Sequence, residues 1–158
     1  MKGKGVLLLV TILLALACTS TASAAPASKV PFSATVVGGQ SGSAERFWTD
    51  EEGVHVRGLP LIITIMGDVE GQIVGIMDAN VNFDGFGDEQ VKGVFTDGGG
   101  PIYRILLDLT LTDFGASITG TFVFIGVGSC KGIHITGTIT AEDGGAAVLA
   151  GTKLTTHP

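Results

Sequence analysis

The chain has 158 residues, 25 of them glycine, and 15 acidic side chains against 9 basic ones, for a net charge of −6. That balance excludes the basic surface a nucleic-acid-binding protein needs and disfavours adsorption to anionic lipid.

The chain opens with the three parts of a secretory signal peptide over residues 1–24. Lys2 and Lys4 form a positive start, Val6 to Ala17 an apolar run, and Ala22-Ser23-Ala24 the small residues before a cleavage at Ala25. The apolar run is shorter than the roughly 20 residues a membrane-spanning helix requires, so no stable span is expected. Leu14-Ala15-Leu16-Ala17-Cys18 offers the alternative of a lipoprotein anchored through Cys18, although Ala15 stands where such boxes usually carry Leu. Either route predicts a secreted, periplasmic or otherwise extracytoplasmic protein. Without the leader, about 134 residues remain with a net charge near −8, the size of one domain. Cys130 is then the single cysteine, so no intrachain disulfide forms and stability rests on packing. No His and acid pair lies near it in sequence, and Cys130 reads as a buried or turn cysteine rather than a reactive thiol.

After a short tether at 25–29, β-branched runs punctuated by glycine predict strands at 30–37, 54–66 with an interruption near Pro60, 69–83, 89–96, 102–112, 116–125, 132–141 and 146–156. Residues 25–53 contribute a strand and a polar Gly/Ser-rich loop to the same domain as 54–158. No segment has a sustained helical period. Short turns between about eight strands predict antiparallel pairing. Gly75, Gly120, Gly137 and Gly151, inside strands, mark bends of a strongly curved sheet, which predicts an all-β closed barrel with a β-sandwich as the alternative. Ile105, Leu107, Leu109 and Leu111 share one face of their strand, as do Ile133, Ile135 and Ile139 of another. By this phase the dry side contains almost no ionisable group, and no carboxylate is placed inside.

The most distinctive polar stretch is Asn80-x-Asn82-x-Asp84-Gly85-x-x-Asp88. Oxygen donors at alternate positions with a glycine at the sharp turn match a calcium-binding loop, with Asn80, Asn82, Asp84 and Asp88 as ligands. The match is imperfect, because Asn80 opens it where Asp is usual and Val91 stands where a bidentate Glu would close it; Asp78 or Glu89 would have to supply the missing oxygens. Asp84-Gly85 is equally a hairpin signal, with the asparagines on a wet strand face and no metal. His55, His134 and His157 show no zinc spacing. Asp50-Glu51-Glu52, with Glu45, surrounds Trp48 and reads as a solvated loop. No nucleophile elbow or phosphate loop occurs, so no catalytic residue is assigned.

Gly67-Asp68-Val69-Glu70-Gly71, Gly120-Thr121-Phe122 and Gly137-Thr138-Ile139-Thr140 followed by Gly144-Gly145 and Leu149-Ala150-Gly151 resemble the allene-oxide-cyclase-like barrels, especially secreted bacterial members, over roughly 54–156. The resemblance implies an eight-stranded antiparallel barrel with a central cavity, in a group that includes a plant cyclase and the dirigent proteins. The carboxylates those enzymes place in the cavity find no counterpart matched here. Three functions follow as expectations: a non-catalytic barrel binding a small apolar ligand, a cyclase or isomerase in the same cavity, or a structural or adhesive envelope protein stabilised by calcium. The state of the interior discriminates among them: filled for the last, open and apolar for the first, open with an inward carboxylate for the second.

Overall fold

A computed structural model describes residues 27–39 and 41–156. The leader, Cys18 and His157 lie outside these residues. Nine strands form one antiparallel sheet: β1 (Ser28–Val37), β2 (Arg46–Thr49), β3 (Val54–Gly67), β4 (Gly71–Val81), β5 (Gly87–Thr96), β6 (Pro101–Thr112), β7 (Ser117–Gly126), β8 (Ile133–Ala141) and β9 (Ala147–Thr155). No α-helix occurs among the described residues, and no helix there is long and apolar enough to cross a membrane.

The sheet closes on itself. From β3 to β9 each strand pairs with the next, β9 pairs with β1, and β1 returns to β3 through Ala34 to Val37 against Thr64 to Gly67. The resulting eight-stranded barrel has no free edge along its seam, which removes the pairing hazard of an open sheet. Following paired residues from Ala79 through Glu89, Leu109, Gly120, Ile139, Leu149 and Ala34 leads to Gly67, beside the β3–β4 turn. The strands are therefore steeply tilted, as closure of a small barrel requires.

β2 was not anticipated by the strand pattern. It continues the line of β1 along β3, pairing Arg46 to Thr49 with Val54 to Arg57 after the loop at 38–45. The interruption expected near Pro60 is a shift of register and not a break, and β3 runs on through Pro60 itself. Pro60 turns its backbone toward that loop, where its carbonyl accepts the Ser41 N–H, so its missing N–H forfeits no bond to β4. The register shift lies between Val56 and Leu59, where Gly58 adopts φ +63° and donates its N–H to Asp78 at 2.9 Å.

Aromatic rings fill one end of the interior. Phe32, Phe95, Tyr103, Phe122 and Phe124 pack there with ring centroids 5.3 to 6.4 Å apart. Room for them comes from glycine: Phe32 lies opposite Gly151, Gly151 opposite Gly137, and Gly137 opposite Phe122, so the two rings meet across a bare pair of backbones. Cys130, half-buried and in no disulfide, caps this end, where burial and its thiol push the Tyr103 phenol up to about 12.

Candidate functional site

The opposite end is a mouth. The turns joining β4 to β5, β6 to β7 and β8 to β9 gather there, together with the 38–45 loop. Between them the interior opens into a cavity of about 380 Å³ with walls that include Val36, Ile63, Val91, Leu107, Leu109 and Ile139. This lies inside the usual range for small-molecule sites, roughly 300–1,000 Å³, and agrees with the capacity of an eight-stranded barrel for one small ligand.

One ionisable group lines the cavity, and it corrects the expectation of an interior free of carboxylates. Glu89 is directly opposite Ala79 on β4 and Leu109 on β6, both buried, and so shares their inward face. The alternation Gly87, Glu89, Val91, Gly93, Phe95 carries that signal in the sequence. No hydrogen bond or ion pair reaches the Glu89 side chain among the described residues, and burial raises its carboxyl above the ordinary range. The wall otherwise offers only hydrocarbon and glycine side chains, with no nucleophile and no second acid.

On the outside of the barrel near the mouth, a second polar arrangement ties β2 to β3. Trp48 stacks on His55, its cross-strand partner, with centroids 4.8 Å apart, and Arg46 lies 4.4 Å from the indole. His55 Nδ1 meets Asn80 Oδ1 at 2.9 Å and Nε2 meets Asp50 Oδ1 at 3.0 Å. Arg57 also donates to Asn80 Oδ1, at 2.8 Å, and because a guanidinium only donates, that atom is the amide oxygen. Both ring nitrogens of His55 therefore face acceptors, an arrangement that favours the protonated, doubly donating ring. The Asn80 and then the Asp50 hydrogen bonds raise its pKa, while the His55 bond, followed by the Glu52 N–H, lowers that of Asp50.

This arrangement makes the β2 strap pH-dependent. A raised histidine pKa gives stability that is complete below the ordinary value of 6.5 and lost as pH rises through the higher folded value. Trp48 is the chain's one tryptophan. Its emission, quenched by the stacked imidazolium, should rise with pH with a midpoint above 6.5, and Asn80→Ala should bring the midpoint down. A midpoint at or below 6.5 in the parent protein would contradict the doubly donating histidine.

The residues of the expected calcium loop are partly gathered. Asn80 and Asp88 are cross-strand partners, and with Asn82 they line an open groove that also holds Asp50, Glu52 and His55. Asp84 stays in the exposed turn. Asn80 Oδ1 accepts from His55 and Arg57, and Asn82 Oδ1 accepts the N–H groups of Asp84 and Phe86 at 3.1 and 2.9 Å, closing the hairpin. Ligand atoms of a different set, Asp50, Glu52 and His55, lie within 4.8 Å of one another, but His55 Nε2 is committed to Asp50. A cation in the loop would have to displace these donors. Melting in millimolar calcium and in chelator should accordingly give the same Tm, whereas a rise of several degrees would assign a cation to the loop.

No family model matches this chain, and no curated protein or solved structure matches it either.

Proposed function

We propose that this protein is a secreted barrel that binds one small, mostly apolar molecule in the mouth cavity. The observation carrying this reading is the cavity itself: about 380 Å³ of apolar-walled space at one end of a barrel whose other end is packed with aromatic rings. A core serving stability alone gains by filling such a space, since each void forfeits dispersion contacts. Binding needs a concave apolar wall with a polar group to orient the ligand, and Glu89 is that group.

Glu89 also favours a second reading, a cyclase or isomerase in which a carboxyl of raised pKa protonates the substrate. Such a reaction needs a further group to stabilise the developing charge, and the cavity wall supplies none among its described residues. Binding without turnover is the better supported of the two.

Titration calorimetry with 1-octanol tests the proposal. At about −0.7 kcal/mol per non-hydrogen atom, within the range small ligands reach, Kd should be on the order of tens of micromolar with one site per chain. Ala147, half-buried at the cavity wall, is the position to block. Ala147→Trp should weaken binding at least about tenfold, a loss of about 1.4 kcal/mol, while leaving the β-sheet circular dichroism intact. Non-saturable uptake, or binding indifferent to the new indole, would sink the reading.

A further inference from the structure

We propose that the ligand of the mouth cavity is a hydrophobic cation, an alkyl or arylalkyl amine whose ammonium group pairs with Glu89 while its hydrocarbon covers the apolar wall. This rests on the reading of the cavity as a ligand site. Glu89 is a carboxylate brought into an apolar space with no donor turned toward it among the described residues. An ionised carboxyl stripped of water is stabilised by an opposite charge brought in with good geometry, and the wall itself provides none. A neutral alcohol can give it one hydrogen bond. A carboxylate ligand would set like charge against like in a poorly solvated space.

The distribution of charge around the barrel points the same way, independently of Glu89. The mouth turns carry Asp84, Asp113, Glu142 and Asp143 and no basic residue, whereas at the opposite end Lys29, Lys131 and Lys153 offset Asp68, Glu70 and Asp97. The two arginines nearest the mouth, Arg46 and Arg57, lie over Trp48 on the outer face, and neither lines the cavity. An acidic rim around a low-dielectric opening concentrates cations and repels anions.

Three probes of one chain length, n-octylammonium, 1-octanol and octanoate, separate the possibilities by calorimetry on the folded protein. Octylammonium should bind at least about tenfold more tightly than octanol, and octanoate more weakly than octanol. Glu89→Gln keeps the side-chain shape and should erase the ammonium advantage, so that the ratio of octylammonium to octanol affinity in the variant falls to about one or below, whatever its octanol affinity. The three-probe series on the parent protein stands even if this variant folds poorly. Should none of the probes bind, the cavity is not a ligand site and the functional reading fails with it. If octanol binds but octylammonium binds no more tightly, or if Glu89→Gln preserves the ammonium preference, the cavity reading stands and the cation assignment is overturned.

Discussion

Phe124→Ala is expected to destabilise the protein by about 3–5 kcal/mol, the range for deleting a buried aromatic side chain. Phe124 has no exposed surface and meets Phe32, Phe95, Tyr103 and Phe122, so the void would open at the centre of the packed end. Its neighbours are held by strands of a closed ring and cannot collapse inward without bending the sheet, which places the cost toward the upper part of that range. A drop in Tm of roughly 10 °C or more, with a matching shift in the denaturant midpoint, should follow. Phe83→Ala is the control, since Phe83 stands in the exposed β4–β5 turn and is 58 % exposed; it should change stability by no more than about 0.5 kcal/mol. A mild effect of Phe124→Ala would mean that the five rings are not one packed unit.

Much of this barrel was legible in the sequence because its strands have one dry and one wet face. The phase that sets Ile105, Leu107, Leu109 and Leu111 together is the phase observed, and of the glycines read as bends Gly137 and Gly151 face each other across β8 and β9 and Gly75 faces Gly93 across β4 and β5. What escaped depends on contacts distant in sequence. β2 has only four residues, Arg46 to Thr49, and it is a strand because Trp48 finds His55 to stack on and β3 has an edge to offer beyond the end of β1. Pro60 suggested a break because proline removes a donor, yet the donor lost faces the 38–45 loop, where only a carbonyl is used.

The site was less legible, for two physical reasons. Glu89 sits next to Asp88 and Gln90, and in that polar company it resembles one more solvated acid at a hairpin. Only the alternation with Val91 and Phe95 turns it inward, to face Leu109 and Ala79 across the neighbouring strands. The oxygens of Asn80 and Asn82 have calcium-loop spacing, but an amide oxygen serves a backbone N–H or a guanidinium as readily as a cation, and spacing cannot tell which it meets. That both ring nitrogens of His55 face acceptors is likewise invisible until Arg57 fixes which end of the Asn80 amide faces the ring.

Gly137→Val should abolish cooperative folding or cost about 3 kcal/mol or more. A β-carbon at Gly137 would lie 2.6 Å from the Gly151 α-carbon and 2.8 Å from the carbonyl carbon of Ala150. Both are backbone atoms of β9, so no side-chain rotation relieves the contact, and the strands would have to separate where they are paired. Separation cannot spread freely, because β8 and β9 are members of a closed ring and displacing one shifts its partners β7 and β1. It would also part Phe122 from Phe32, whose rings meet across this glycine pair at 5.8 Å, and so loosen the packed end from its wall. Gly38→Ala is the matched control, because a β-carbon there meets no atom within 4 Å. Far-ultraviolet circular dichroism and urea titration of the two variants should differ by most of the parent protein's stability; a Gly137→Val protein within about 1 kcal/mol of the parent would show that β8 and β9 tolerate separation and that the glycine pair does not set the barrel's curvature.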